Sequence, residues 1–290
     1  MQKEFNLLVT GLVRDSSRHL KNEIARIEKH AEKLFSQVNF FLVESDSADQ
    51  TTNSLSQLKI LKSNFDFISL GNLTGIYPNR LDRLRYCRNE YVNKIREDDR
   101  YRNCDFVLVV DFDIKNRSLN LDEVGELLHS EVWEGIFANQ RGPYYDIFAL
   151  RCIGWVEEDC FKKYNKLSEN MSRAKAKHIA IWSQMRRIPT NASLIEVQSA
   201  FGGMGLYRRE CFDRFDYSAP NFELRSESEH ISLHYKITNG GGKLFILPAM
   251  TNFSFAPHNL SAYRIFRLLD KISRPRIFKQ IRLMLRQLLP

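Results

Sequence analysis

Two aspartates separated by one residue stand directly after a strongly apolar stretch of the chain. Asp111 and Asp113 follow residues 106–110, Phe-Val-Leu-Val-Val, which reads as a strand buried on both faces. Two carboxylates at a strand exit can share a Mg²⁺ or Mn²⁺ ion and leave coordination positions open for phosphate oxygens. Acidic-x-acidic triplets also occur elsewhere in the chain, so the strand and not the spacing selects this pair. A solvated strand end or a helix cap is the competing interpretation.

Three later features could also supply chemistry. Gly202 and Gly203 would let a ligand approach the backbone, or they mark a bend in a strand. Glu229 precedes an apolar-periodic helix, where a carboxylate can act as a general base or stabilise the helix N-terminus. His258 could complete a metal site, although a lone histidine is more often structural.

These side chains need a framework that brings distant strand ends together, and the hydrophobic pattern predicts one. In the first half, strands are predicted at 5–13, 38–43, 65–70 and 105–110, with helices at 20–34, 55–61 and 79–95. In the second half, strands are predicted near 146–152, 195–207 and 243–247, with helices near 171–185 and 228–238. Strands that alternate with helices predict an α/β fold with a mainly parallel central sheet and helices on both faces. Ligands of such sheets bind beyond the carboxyl ends of the strands.

The composition excludes several classes of protein. Hydrophobic residues make up 43% of the 290 positions, and the mean hydropathy is -0.39. No stretch approaches the roughly 18 apolar residues of a membrane span, so an integral membrane protein is excluded. The N-terminal Met-Gln-Lys-Glu runs straight into a predicted strand, so no cleaved leader is expected. Five scattered cysteines without metal-binding spacing predict reduced thiols and a cytoplasmic location.

The net charge of +8 is concentrated at one end of the chain. Residues 260–290 carry eight Lys and Arg against Asp270 alone, which leaves +1 for residues 1–259. This distribution argues against a nucleic-acid-binding face, so no nucleic acid partner is expected. We predict one domain over 1–259 and basic amphipathic C-terminal helices over 260–290. Those helices could lie on the cytoplasmic face of an anionic membrane, or they could pack on the domain or a partner.

Taken in order, the motifs resemble a glycosyltransferase of the GT-A fold, which has a Rossmann-like sheet and holds its donor through a metal on an Asp-x-Asp motif. The likeness over about 80–253 is to the fungal capsule-associated alpha-1,3-mannosyltransferase family. It rests on four landmarks in the same order: Arg88-Asn89 leading into 105–113, the segment 145–151, Gly203-Met204, and Ser228-Glu229-His230 followed by 242–248. Asp111-Phe112-Asp113 is the commoner GT-A metal motif, and Gly202 stands where this family is expected to have a polar residue. Mannose and GDP are therefore not carried over.

The resemblance implies a role for each matching residue. Asp111 and Asp113 would be metal ligands, with His258 as a third, and Asp111 would also reach the ribose. The residues that would contact the nucleotide or its diphosphate are Thr10, Gly11, Glu44, Arg85 and Arg88. The residues that would contact sugars or line the floor between donor and acceptor are Asp146, Arg151, Trp155, Gly202, Gly203 and His230. Glu229 would be the base of an inverting reaction or an anchor for the acceptor hydroxyl.

The expected function is metal-dependent transfer of a sugar from a nucleotide-sugar donor to a glycan or lipid-linked acceptor, in the synthesis of a surface polysaccharide or glycoconjugate. A sugar nucleotidyltransferase is one alternative, but residues 10–14 are a poor match to its Gly-rich, lysine-containing triphosphate loop. A non-catalytic membrane or RNA-binding adaptor is the other, and it would leave the acidic site without a role.

Overall fold

The computed structural model describes residues 3–112, 116 and 119–252. Within these residues the strands are β1 Asn6–Val13, β2 Gln37–Glu44, β3 Phe65–Ser69, β4 Phe106–Val110, β5 Gly135–Gln140, β6 Ile195–Val197, β7 Met204–Arg208 and β8 Leu244–Asn252. The helices are α1 Leu20–Ala31, α2 Thr51–Leu61, α3 Arg80–Glu97, α4 Asp99–Arg102, α5 Cys160–Ser168, α6 Arg173–Ala180, α7 Glu210–Arg214, α8 Phe222–Arg225 and α9 Glu229–Asn239.

All eight strands belong to one sheet with the order β3-β2-β1-β4-β7-β5-β8-β6. The first four strands are parallel, β7 runs antiparallel between β4 and β5, β8 lies parallel to β5, and β6 is antiparallel at the edge. The α/β fold with a mainly parallel sheet is therefore confirmed.

Each face of the sheet is covered by its own hydrophobic core, because side chains alternate along every strand. Leu8, Val107 and Val109 belong to the core beneath α3 and α9. Their neighbours Leu7 and Leu108 belong to the core beneath α1 and α2. Helices therefore cover both faces, as predicted. Along the described part of the chain, no helix is both long enough and apolar enough to span a bilayer.

The first half of the chain folds as its sequence pattern predicts, but the second half differs in several places. Residues 146–152 form turns and two isolated bridges instead of a strand, and the true strand β5 lies earlier. Helices α5, α7 and α8 lie where no helix was predicted. The predicted strand 195–207 is divided into β6 and β7 by a turn at Gly202 and Gly203. The predicted helix 171–185 ends at Ala180 and is followed by a short 3-10 helix. The tail 260–290 lies outside the described residues, so the domain boundary stays a prediction.

Candidate active site

A cleft with a volume of about 370 Å³ opens at the carboxyl ends of β1, β2 and β4. The strands contribute its floor, the start of α9 forms one wall, and one face of α3 forms another. Of the residues predicted from the sequence, those lining it are Arg88, Asp111, Asp146, Glu229 and His230. The cleft therefore lies where an open parallel sheet is expected to bind its ligand.

Asp111 is held at the end of β4 by the glycine turn that precedes β7. Its backbone N–H donates a hydrogen bond to the Gly203 carbonyl, with 3.0 Å between nitrogen and oxygen. Gly202 and Gly203 have φ values of +66° and +84°, a backbone conformation that favours glycine. A Cβ on Gly202 would lie 2.5 Å from the Ala138 carbonyl oxygen. The two glycines therefore form a tight turn that fixes the backbone of the candidate metal ligand.

Arg88 joins two carboxylates of the cleft. Its Nε donates to Glu229 Oε1 at 3.0 Å, and its terminal nitrogen lies 3.5 Å from Asp111 Oδ1. The guanidinium also lies 5.5 Å from the ring centres of both Phe201 and Tyr217. Burial by itself would lower the pKa of Arg88, but interactions with neighbouring tyrosines and both carboxylates outweigh it and hold the pKa well above its ordinary value. Arg88 therefore supplies a permanent positive charge behind the two acidic groups.

Asp146 is a third, partly buried carboxylate of the cleft. Its Oδ2 accepts a hydrogen bond from the Gly202 N–H at 3.0 Å, and its Oδ1 accepts one from the Ala149 N–H at 3.4 Å. Burial raises the pKa of Asp146, and these hydrogen bonds oppose that rise only in part. The loop that sequence analysis took for a strand thus delivers this carboxylate to the cleft.

His230 presents a neutral imidazole to the cleft. Burial, followed by the charge of Arg88, lowers the pKa of His230 well below its ordinary value. The ring stacks on Phe201 with 3.7 Å between ring centres, and its Nε2 lies 3.7 Å from Glu229 Oε1. Neither ring nitrogen has a hydrogen-bond partner among the described residues. Both nitrogens are therefore buried in the wall of the cleft beside Glu229 without a polar partner among the described residues.

Three further arginines line the cleft, and sequence analysis missed all of them. Arg14 follows β1, and Arg80 and Arg83 lie in the first turn of α3. Arg83 lies 3.5 Å from Asp46, whereas Arg80 has no ion pair or hydrogen bond with any described residue. Positions 80, 83, 84, 87 and 88 all line the cleft, and this spacing marks a single helical face. That periodicity was the available signal for Arg80 and Arg83.

Three residues predicted to border the nucleotide lie inside the framework instead of on the cleft. The Thr10 hydroxyl donates to the Phe41 carbonyl at 2.7 Å, within the sheet. Gly11 packs against the Val110 carbonyl, and an added Cβ would lie only 2.0 Å from that oxygen. Glu44 is buried and accepts hydrogen bonds from the loop after β2 and from β3. In this structure these three residues shape the floor beneath the cleft without lining it.

Arg85 and Arg151 are both committed to internal contacts outside the cleft lining. The Arg85 guanidinium donates three hydrogen bonds of 2.9 Å to carbonyl oxygens of residues 224–227. Arg151 lies 2.7 Å from a carboxylate oxygen of Glu227 and 3.2 Å from one of Asp159. Both arginines therefore fasten the segment that leads into α9. Arg88 is the member of the predicted Arg85/Arg88 pair that reaches the cleft.

Trp155 packs beside the cleft without lining it. Its indole N–H donates to the Gln184 carbonyl at 2.7 Å, and its ring lies edge-on to Tyr144 with 5.6 Å between ring centres. The Arg186 guanidinium lies 5.6 Å from the indole. These contacts describe a packing role for Trp155.

Of the three predicted metal ligands, only Asp111 belongs to the described residues. Asp113 and His258 lie outside the described residues. Among the described residues, no group of three His, Cys, Asp or Glu side chains is arranged to hold a metal ion. The Arg88 guanidinium lies 3.5 Å from the Asp111 carboxylate. The metal site therefore stays a prediction.

Comparisons with known proteins give likeness at the level of structure alone. No protein-family model matches the chain, and no curated protein matches it. A mannosyltransferase of Pyrobaculum calidifontis, solved with GDP-Man and Mn²⁺, is 12% identical with a TM-score of 0.48, covering 87% of this chain and 57% of its own. TarS of S. aureus, residues 1–349, is 12% identical with a TM-score of 0.42, covering 85% of this chain and 59% of its own.

A third solved structure is the galactosyltransferase LgtC with donor and acceptor sugar analogues. It is 12% identical with a TM-score of 0.43, covering 82% of this chain and 72% of its own. This chain thus spans less than two thirds of the length of the first two structures. At these TM-scores the likenesses identify no substrate, so the function must be argued from the cleft itself.

Proposed function

We propose that this chain is a glycosyltransferase of the GT-A kind, which moves a sugar from a nucleotide-sugar donor to an acceptor hydroxyl. The observation that carries the proposal is the convergence of Asp111, Arg88 and Glu229 in one cleft at the carboxyl ends of parallel strands, beside a wall of arginines. A donor with two phosphates and a sugar requires both kinds of group. It needs cations for the diphosphate and carboxylates for the sugar and acceptor hydroxyls.

The arginine wall supports a diphosphate ligand. Arg14, Arg80 and Arg83 all line the cleft, and a guanidinium can make paired hydrogen bonds to phosphate oxygens. As the bond from the sugar to the diphosphate breaks, negative charge grows on the leaving group. Fixed cations beside that group stabilise the transition state more than the bound donor, which lowers the barrier.

The acidic side of the cleft supports the acceptor. Glu229 would accept a hydrogen bond from an acceptor hydroxyl and take its proton as the new bond forms. Arg88 Nε donates a hydrogen bond to Glu229 Oε1 at 3.0 Å, so the position of the carboxylate is fixed before the acceptor arrives. His230 and Asp146 also line the cleft and would contact further hydroxyls of the sugars.

Mg²⁺ or Mn²⁺, held by Asp111 together with Asp113 and His258, remains part of the proposal. When bound, such an ion neutralises charge on the diphosphate. Four other features also stay predictions. They are the glycan or lipid-linked acceptor, the contact of 260–290 with an anionic membrane, the cytoplasmic location and membership of the fungal capsule-associated family.

The test is ligand binding measured by thermal shift. UDP-, GDP-, CMP- and dTDP-sugars are screened with and without Mn²⁺, since a ligand of the folded state raises the unfolding temperature. We expect one nucleotide class to stabilise the protein. Loss of one guanidinium–phosphate contact, in Arg80→Ala, should weaken that donor about 10- to 100-fold, from roughly 1.5–3 kcal/mol per charged hydrogen bond.

Arg102→Ala is the matched control, because Arg102 is 60% exposed on α4, at the opposite end of β4. It should leave donor affinity unchanged. Stabilisation by no nucleotide-sugar, or equal loss of affinity in both variants, would contradict the proposed donor site. Glu229→Gln should retain donor binding and lose transfer, and unchanged transfer would remove Glu229 from the mechanism.

A further inference from the structure

A second strongly basic segment lies within residues 1–259. The net charge of these residues is only +1, because acidic residues elsewhere offset the segment. Residues 160–190 contain eight Lys and Arg against one Glu, which is a net charge of +7. The remainder of residues 1–259 is therefore acidic. This segment is as basic as the tail, but it belongs to the described structure.

The segment forms a helical hairpin. Helices α5 and α6 are joined by a short link and pack against each other, and a 3-10 helix carries the chain on to Arg186 and Arg187. Two of its cations pair with carboxylates: Lys162 with Glu227 and Lys163 with Glu158. The cations that are exposed and have no carboxylate partner among the described residues are Lys166, Arg173, Lys175, Lys177, Arg186 and Arg187.

The hairpin is fastened directly to a wall of the cleft. Phe161, in the first turn of α5, packs edge-on against the cleft residue Phe148 with 5.2 Å between ring centres. Lys162 Nζ lies 2.7 Å from Glu227, which immediately precedes the cleft-lining segment 228–230. Whatever binds the hairpin is therefore brought to the mouth of the cleft.

Two large apolar side chains are exposed at the start of the same region. Phe161 is 50% exposed, and Ile153, in the turn before α5, is 78% exposed. We propose that the hairpin and this turn form a surface that docks on a membrane rich in anionic lipids. Unpaired cations attract the anionic headgroups, and exposed Phe and Ile side chains can enter the interface between headgroups and acyl chains. A nucleic acid would be attracted by the cations but would give Ile153 no apolar environment.

This surface is independent of the proposed transferase reaction and of the tail. Its test uses full-length protein with the tail intact, so any contribution of 260–290 is the same in every variant. Flotation is measured with phosphatidylcholine vesicles and with vesicles that also contain phosphatidylglycerol. The hairpin variant replaces Arg173, Lys175 and Lys177 by Gln. The control replaces Lys21 and Lys29 on α1 and Lys33 just after it by Gln, which changes the net charge equally on the other face of the sheet.

Each basic residue near an anionic surface contributes roughly fivefold to partitioning at low salt, so the hairpin variant should bind anionic vesicles about 100-fold more weakly. The control should stay within about threefold of the wild type. Ile153→Ser should weaken binding several-fold without changing the unfolding temperature, because the side chain is exposed. Binding should also fall at high salt, which screens charges.

Equal binding by the hairpin variant and the control would overturn the proposal. So would equal binding to neutral and anionic vesicles, an Ile153→Ser variant that binds like the wild type, or tighter binding to single-stranded RNA than to anionic vesicles. Donor-induced thermal stabilisation should be the same in all these variants, so failure of the docking surface is distinguishable from failure of the transferase proposal.

Discussion

The contact between Arg88 and Glu229 allows a quantitative prediction of stability. Both side chains are less than 10% exposed, and Nε lies 3.0 Å from Oε1. Breaking a buried ion pair by removing one partner costs roughly 3–5 kcal/mol, because the remaining charge stays buried. In Glu229→Ala, Arg88 keeps Asp111 at 3.5 Å and two aromatic rings at 5.5 Å. We therefore expect the free energy of unfolding to fall by about 3 kcal/mol, at the lower end of that range.

The assay is urea unfolding followed by tryptophan fluorescence, for wild type, Glu229→Ala, Arg88→Met and the double variant. If the two charges stabilise each other, the double variant should be more stable than the sum of the single effects predicts, by about 2 kcal/mol. Glu97→Ala, an exposed position near the end of the same helix, should change stability by less than about 0.5 kcal/mol. Single effects that add to within about 0.5 kcal/mol would refute the idea that this pair acts as a unit.

Two further predictions concern the turn that holds Asp111 and the core behind the cleft. Gly202→Ala should destabilise the fold by more than about 2 kcal/mol, because Gly202 combines a positive φ with a carbonyl oxygen close to the added Cβ. Gly154→Ala is the control and should cost only about 1 kcal/mol, because Gly154 has a positive φ but open space around it. Equal unfolding temperatures of the two variants would exclude the clash at Gly202. Burial and, second, the charge of Arg88 lower the pKa of His234 from 6.5 to about 3. The unfolded chain therefore binds this proton more readily than the folded protein, and the free energy of unfolding falls as the pH drops below 6.5. The fall between pH 6.5 and 5 should be about 1.5 kcal/mol. His234→Gln should remove that part of the pH dependence, measured by urea unfolding at each pH. His178→Gln, at an exposed position, should retain it. The same dependence of the free energy of unfolding on pH in both variants would contradict the assignment.

The order of elements in the first half could be predicted from the sequence because each signal is local. Continuous apolar runs marked β1 and β4, and spacings of three and four residues marked α1 and α3. The position of Asp111 at a strand exit followed from the same run. Glu229 at the start of α9 followed from the apolar periodicity after it. In each case the information lies within a window of about ten residues, where hydrophobic periodicity is most reliable.

Other features depend on contacts between distant parts of the chain, and only the tertiary structure decided them. The insertion of β7 between β4 and β5 aligns Gly203 with Asp111, across ninety residues of sequence. The pairing of Arg88 with Glu229 spans 141 residues. No local pattern shows whether a buried arginine meets a carboxylate, as Arg88 does, or backbone carbonyls, as Arg85 does.

The sequence by itself therefore determined the α/β class, the strand that ends at Asp111 and the helix that begins with Glu229. The tertiary structure decided which side chains share the cleft: Arg80 and Arg83 face it, while Thr10 is sealed inside the sheet. The physical reason is that backbone periodicity is fixed by near neighbours. The direction and partner of a polar side chain are fixed instead by whichever distant donors and acceptors the packed sheet brings within about 3 Å.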